Sequence, residues 1–102
     1  MEKRKPHYKL SEIQTLVANL DSQPFTATAL RNGLAMGLTE PEMRQVMQKL
    51  SRGDFYKAMT SYSDHRIWQD VYHGITEDGI PAYIKITAFT DGRPPVIQFK
   101  AK

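Results

Sequence analysis

Four polar residues in the C-terminal half of the chain have the side-chain chemistry that cleavage of RNA requires. The ribose 2′-OH can attack its own phosphate if a base removes its proton, cations stabilise the extra negative charge, and an acid protonates the leaving 5′ oxygen. Lysine, glutamine and tyrosine side chains can fill these roles without a metal. The residues predicted to share one sheet face are Lys57, Gln69, Tyr83 and Lys100.

Each of these residues also has a simpler interpretation when it is taken alone. A strand lysine is usually a solvated cation, a strand glutamine is usually a surface amide, and Tyr83 is more often a packing ring than an acid. The functional interpretation therefore depends on whether the four side chains meet on one surface.

The stretch from Asp54 to Tyr72 is the element that must position the first two. It is aromatic and β-branched without Pro or Gly, and it predicts two strands joined by a polar turn at residues 63–66. Side chains alternate between the faces of a sheet, so an antiparallel hairpin can place Lys57 beside Gln69. On the first strand, one predicted face carries Phe55, Lys57 and Met59, and the other carries Tyr56, Ala58, Thr60 and Tyr62. On the second strand, one predicted face carries Ile67, Gln69 and Val71, and the other carries Trp68, Asp70 and Tyr72.

Two later strands are predicted to position the other two residues. Residues 73–74 and 77–79 are predicted to lie in a loop, and residues 82–89 and 96–100 alternate as strands do. The apolar sides are Ile84, Ile86 and Ala88, then Ile97 and Phe99. If these meet the helices, the polar side chains left on the open face are Tyr83, Lys85, Gln98 and Lys100.

The N-terminal half has helical rather than strand periodicity. Residues 1–9 are predicted to be irregular, and helices are predicted over residues 10–20 with Ser11 as cap, 26–36 ending at Gly37, and from Thr39 to a stop at Gly53. Three helices before about four antiparallel strands predict an α+β fold with the helices packed on one sheet face. At 102 residues, the chain is predicted to be a single domain over residues 1–102.

Composition narrows the function classes. The net charge is +3, a modest excess that favours a polyanion partner without establishing one. Lys and Arg gather at both ends and would form one positive rim if the ends met. The chain has no Cys, which fits a cytoplasmic location. No apolar run has the roughly 20 residues of a membrane span, and no apolar segment follows the basic start as in a signal peptide.

The run from Asp54 to Tyr72 closely resembles the MqsR (motility quorum-sensing regulator) toxins. The resemblance rests on Phe55-Tyr56-Lys57, on Tyr62-Ser63-Asp64-His65, on Ile67-Trp68-Gln69-Asp70-Val71-Tyr72, and on the two ends, Met1–His7 and Phe99–Lys102. These toxins are bacterial mRNA endonucleases of type II toxin–antitoxin pairs with a RelE-like fold. The resemblance implies metal-independent and ribosome-independent cleavage of mRNA, preferring GC-containing sites such as GCU.

The same resemblance implies roles for particular residues. Two lysines, a glutamine and a tyrosine form the family's proposed active site, and they match Lys57, Lys100, Gln69 and Tyr83. The residues predicted to bind substrate are His7, Tyr56, Met59 and His73. At His73 the family pattern has an arginine. The three histidines are too scattered for a metal site without Cys, and neither a metal nor a cofactor is predicted.

The resemblance implies two partners and leaves two alternatives open. The partners are mRNA and an MqsA-type antitoxin with a zinc domain and a helix-turn-helix domain, which alone would contact operator DNA. A sheet edge is the predicted docking place for the antitoxin.

The first alternative function is a ribosome-dependent interferase, as in other RelE-like toxins. The second is a nucleic-acid-binding regulator without catalysis, which would show salt-dependent binding but no product.

Overall fold

The computed structural model, which describes residues 1–102, has three helices followed by four strands, with a short extra strand at the start of the chain. The helices are α1 (Leu10–Ala18), α2 (Ala27–Ala35) and α3 (Glu40–Lys49). The strands are β1 (Glu2–Lys3), β2 (Phe55–Thr60), β3 (Trp68–Ile75), β4 (Pro81–Thr87) and β5 (Val96–Ala101). Neighbouring strands are antiparallel and follow chain order from β1 to β5. The predicted α+β fold is confirmed.

Strand β1 corrects the prediction that residues 1–9 are irregular. Glu2 pairs with Met59 and Lys3 with Ala58, so the start of the chain forms one edge of the sheet. A two-residue strand is too short to show any alternation, which is why the sequence did not predict it. Because β1 and β5 lie at opposite edges, the two basic ends do not meet in one rim.

The predicted N-cap of α3 at Thr39 is confirmed, whereas the predicted N-cap of α1 at Ser11 is wrong. Thr26 Oγ1 accepts the Ala29 N–H at 3.0 Å, and Thr39 forms a reciprocal capping box with Glu42. In α1 the cap residue is Lys9, whose side chain makes no capping hydrogen bond. Ser11 lies inside that helix instead of capping it. The three helices are 9, 9 and 10 residues long, and none could span a membrane.

One hydrophobic core joins the helices to one face of the sheet. Its 15 buried residues are Ile13, Val17, Phe25, Ala29, Leu38, Met43, Val46, Met47, Leu50, Tyr72, Ala82, Ile84, Ile86, Ile97 and Phe99. The predicted inward faces of β4 and β5 are therefore confirmed for Ile84 and Ile86 and for Ile97 and Phe99. The opposite face of the sheet carries no helix.

Strand β3 is longer than predicted. Residues 73 and 74 belong to it and not to a loop, and the turn begins only after Ile75. Gly74 is there because α3 packs closely: a Cβ at this position would lie 3.0 Å from Ile84 and 3.1 Å from Val46. The glycine that suggested a chain break is a close-packing site inside a strand.

The outer edge of β5 is closed by the segment before α2. The Ile97 N–H donates to the Pro24 carbonyl at 2.7 Å, and the Thr26 N–H donates to the Ile97 carbonyl at 3.2 Å. The Asn32 side chain also donates to the Phe99 carbonyl. The outer edge of β5 is therefore paired within the chain at Ile97 and at the Phe99 carbonyl. Elsewhere in the fold, buried Arg44 links α3 to the end of α1 by donating to the Val17 carbonyl at 2.6 Å.

Candidate functional site

The face of the sheet without helices, called the open face below, carries all four predicted catalytic side chains. Strand register sets them in rows across the sheet. One row is Lys57, Val71, Lys85 and Gln98, the next is His73, Tyr83 and Lys100, and the third is Met59, Gln69 and Thr87. The sequence predicted this shared face, and the register shows that strands β2 to β5 each contribute to it.

A β-bulge changes which side chains of β2 reach the open face. Register with β3 shifts between Phe55 and Lys57, because Phe55 pairs with Tyr72 and Lys57 pairs with Val71. Phe55 packs against the core, while Tyr56 stacks over His73 on the open face. The prediction that Phe55 shares a face with Lys57, and Tyr56 with Ala58, is therefore wrong. A bulge puts two consecutive residues on one face, which alternation cannot anticipate.

Lys57 and Gln69 are diagonal neighbours rather than a directly paired couple. The residue opposite Gln69 is Met59 and the residue opposite Lys57 is Val71, so the predicted side-by-side pairing of Lys57 and Gln69 is wrong by two residues of register. The Gln69 amide donates to Thr87 Oγ1 at 3.2 Å, which orients the amide from the β4 side. Met59 lies on the open face as predicted, next to this amide.

Aromatic rings and a cation form a continuous row over four strands. The Tyr56 and His73 rings stack with centroids 4.5 Å apart, and the His73 and Tyr83 centroids are 6.2 Å apart. Lys100 Nζ lies 5.0 Å from the Tyr83 ring centroid. Burial and the nearby Lys102 lower the pKa of His73, so its ring is neutral at pH 7. Stacked rings beside cations suit unpaired bases and the phosphates that join them.

Lys57 is held by an acidic residue from β1. Its Nζ lies 3.1 Å from Glu2 Oε2, and it also lies 5.5 Å from the Tyr56 ring centroid. The hydrogen bond that Lys57 donates to Glu2 raises the pKa of Lys57, so this lysine is a cation throughout the neutral range. An incoming phosphate would therefore have to compete with the Glu2 carboxylate for it.

Lys85 is the residue at this site to which the sequence assigned no catalytic role. It lies between Val71 and Gln98 in its row, and it is half-buried. Burial and the charge of Lys100 lower the pKa of Lys85. It also lines a cavity of about 250 Å³ between α2 and the open-face side of β5, together with Tyr83 and Lys100. The signal available in the sequence was its position two residues after Tyr83 on the polar side of β4.

His7 lies apart from the four residues. Its backbone N–H donates to both carboxylate oxygens of Asp70 at 3.0 Å, and its ring stacks on Trp68 with centroids 5.2 Å apart. Both partners belong to the helix side of β3. Burial and the charge of Lys3 lower the pKa of His7. A substrate-binding role for His7 stays a prediction, and in the structure His7 lies outside the open face.

The polar side chains do not gather into a metal-binding group. No cluster of three or more His, Asp or Glu side chains is placed where it could hold a metal ion. What the open face offers is a set of ammonium groups, an amide and aromatic hydroxyls. Such groups can bind a phosphate, stabilise added negative charge on it and exchange protons with its ester oxygens.

Comparison with known proteins identifies the family. The sequence profile described as "Motility quorum-sensing regulator, toxin of MqsA" matches residues 5–101. The chain belongs to this toxin family. It is also 45% identical, over 102 residues and the full length of both chains, to the mRNA interferase toxin MqsR of Escherichia coli (strain K12). The resemblance of the stretch from Asp54 to Tyr72 to the MqsR toxins is thereby confirmed. The similarity also covers the three helices.

The ion pair with Glu2 leads to a prediction about RNA affinity. Replacing Glu2→Gln removes the carboxylate that competes with phosphate for Lys57, so RNA should bind more tightly. An exposed ion pair is weak, so the gain should be at most about fivefold, and it should be largest at low salt. It is measured by fluorescence anisotropy with a 2′-O-methyl RNA that cannot be cleaved.

Glu77→Gln, in the exposed turn after β3, makes the same change in net charge away from Lys57. It should leave the affinity nearly unchanged. An equal gain in both variants would show that only net charge matters and that Glu2 does not compete with the substrate.

Proposed function

We propose that this member of the toxin family is an endoribonuclease that cleaves mRNA on the open face of its sheet. The observation that carries the proposal is the placement of Lys57, Gln69, Tyr83 and Lys100 on that one face, beside a row of stacked rings. The name of its relative from E. coli, an mRNA interferase toxin, supports the same activity. Because mRNA is the proposed substrate, the cytoplasm is the proposed place of action.

The proposed roles follow from charge and position. Lys57 and Lys100 neutralise the scissile phosphate, since both present ammonium groups beside the aromatic row. Gln69, held by Thr87, donates its second amide hydrogen to a phosphate oxygen or a base edge. Tyr83 protonates the leaving oxygen or stacks on a base. Tyr56, Met59 and His73 surround these groups and contact the flanking nucleotides.

Lys85 is the proposed proton acceptor for the 2′-OH. Its lowered pKa makes the neutral amine more accessible at neutral pH than in Lys57, whose pKa is raised. General bases work best when their pKa approaches the working pH. The two lysines therefore have different proposed roles: Lys57 stays charged and binds phosphate, and Lys85 exchanges a proton.

Three finer features of the reaction are also proposed. The reaction needs no metal, because ammonium groups can supply the positive charge that the transition state requires. It needs no ribosome, because the open face binds a single strand directly. Sites containing GC, such as GCU, are preferred, as the family resemblance implies.

The first test of this function is the Lys57→Ala variant. A short RNA containing GCU is incubated with excess chelator and without ribosomes, and the ends of the products are identified by mass spectrometry. Wild type should leave a 2′,3′-cyclic phosphate. Lys57→Ala should lose at least about 10²-fold in rate, since removing one stabilising group of a transition state has this effect. Lys49→Ala, an exposed lysine on α3, is the matched control and should keep its activity.

The other outcomes separate the competing functions. Cleavage by wild type only after ribosomes are added would indicate a ribosome-dependent interferase. Salt-dependent binding with no product under either condition would indicate a regulator that binds nucleic acid without catalysis. Full activity of a folded Lys57→Ala variant would overturn the assignment of the site.

A second test concerns Lys85 and pH. Below its pKa this side chain already carries the proton and cannot accept another, so the wild-type cleavage rate should rise with pH until Lys85 is deprotonated. Lys85→Arg should still bind RNA but should lose about 10²-fold in rate and the rise with pH. Lys57→Arg, which keeps a cation, should retain the rise. An unchanged pH profile in Lys85→Arg would exclude Lys85 as the base.

We further propose that an MqsA-type antitoxin, with a zinc domain and a DNA-binding helix-turn-helix domain, binds the β1–β2 edge of the sheet. The β5 edge is closed by Pro24 and Thr26, whereas β1 covers β2 only from Ala58 onward. The outer edge of residues 55–57 thus has no neighbouring strand, and such an edge can pair with another chain. The description of the family as a toxin of MqsA supports this partner.

Amide hydrogen exchange with and without the antitoxin tests this edge. Exchange should slow at Glu2–Lys3 and at residues 55–57, because new strand pairing protects N–H groups there. Exchange at Val96–Ala101 should not change, which provides an internal control. Protection confined to β5 or to the helices would contradict docking at this edge.

A further inference from the structure

A second cavity lies on the helix side of the sheet, away from the open face. It has a volume of about 350 Å³ and is lined by Lys5, Pro6, His7, Tyr8, Lys9, Leu10, Arg52 and Tyr72. Strand alternation separates it from the proposed cleavage site, because Val71 and His73 face one way and Tyr72 faces the other. The mechanism proposed above uses none of its groups.

The hydroxyl group of Tyr72 is the first unusual feature of this cavity. Tyr72 is 1% exposed, and its hydroxyl oxygen is a buried polar atom with no hydrogen-bond partner within the chain. Buried hydroxyl groups in native proteins usually have a partner, so this exception needs a reason. Burial and the charge of Asp70 raise the pKa of Tyr72 to about 12. The group is therefore an O–H donor at any physiological pH.

The start of α1 is the second feature. No side chain caps this helix, and the backbone N–H groups of Leu10 and Ser11 have no hydrogen-bond partner within the chain. Lys9 and Leu10, at this helix start, line the cavity. The unpaired N–H groups and the positive end of the helix dipole favour an anion.

The charges of the cavity lining have one sign. Lys5, Lys9 and Arg52 are exposed and form no ion pair with an acidic residue. Arg52 lies near enough to Tyr72 to lower the pKa of its hydroxyl group, although burial outweighs this effect. The nearby carboxylate of Asp70 accepts hydrogen bonds from the backbone N–H groups of His7 and Tyr8 and does not pair with these cations.

We propose that this cavity binds a phosphate group, carried by a nucleotide or by a part of an RNA strand outside the cleavage site. Tyr72 would donate its O–H to a phosphate oxygen, and the N–H groups of Leu10 and Ser11 would donate to the others. Lys5, Lys9 and Arg52 would neutralise the charge. Three kinds of donor then meet one anion, which explains both the uncapped helix and the unpaired hydroxyl group.

The experiment uses the full chain carrying Lys57→Ala, so that cleavage cannot interfere with the binding measurement. The result for this cavity is therefore independent of the proposed cleavage activity. Backbone amide NMR signals of Leu10 and Ser11 are followed during titration with three probes. These are inorganic phosphate, adenosine 5′-monophosphate and a 2′-O-methyl RNA of six nucleotides. Saturable shifts of both signals are expected with at least one probe.

Matched variants identify the groups responsible. Tyr72→Phe and Arg52→Gln should each weaken binding of that probe about tenfold, the loss expected for one hydrogen bond to a charged group. Tyr62→Phe and Arg31→Gln, which are exposed elsewhere, should bind as the parent does. Tyr72→Phe should be at least as stable to urea as the parent, since it removes an unpaired buried donor.

The pattern of outcomes decides the proposal and the source of the phosphate. Shifts with inorganic phosphate and the mononucleotide support a site for free nucleotides, and shifts with the six-nucleotide RNA alone support a contact to the RNA strand. Signals of Leu10 and Ser11 that respond to none of the probes would overturn the proposal, as would Tyr72→Phe binding as tightly as the parent.

Discussion

The hydrogen bonds to the buried carboxylate of Asp70 are the interaction on which the arrangement of both proposed binding surfaces depends. Asp70 is 1% exposed and accepts hydrogen bonds from the backbone N–H groups of His7 and Tyr8, at 2.9 to 3.0 Å. A charge removed from water needs such partners. The Tyr8 hydroxyl also donates to the Trp68 carbonyl at 2.6 Å, which fastens the same segment to the start of β3. The N-terminal segment is thereby held across the sheet, so β1 reaches β2 and α1 starts beside the core.

Strand β3 serves two surfaces because its side chains alternate. Its odd-numbered residues build the open face with Gln69 and His73, and its even-numbered residues build the anchor and the second cavity with Asp70 and Tyr72. Strand β2 does not alternate strictly, because its β-bulge adds the Tyr56 ring to the open face beside Lys57. A flat polar face thus becomes a row of rings flanked by cations.

Residues of one type differ in their environment within a few strands. The carboxylate of Glu2 favours the charged form of Lys57, whereas burial and Lys100 favour the neutral form of Lys85. Burial and nearby charges also lower the pKa values of His7 and His73 and raise the pKa of Tyr72. The protonation state of each group is therefore decided by its neighbours in the fold, and net charge alone says little about what the face can do.

The sequence by itself determined the order of the elements, the inward faces of β4 and β5, the caps at Gly37 and Thr39, and the presence of Lys57, Gln69, Tyr83 and Lys100 on one face. These features follow from local periodicity, capping chemistry and family motifs, which depend on residues close in the chain. Only the tertiary structure decided the pairing of β1, the bulge at Tyr56, the place of His73 within a strand and the role of Gly74. It also decided the pairing of Lys57 with Glu2 and the burial of Tyr72. Each of these depends on contacts between residues far apart in the chain, where register and packing, and not local pattern, select the outcome.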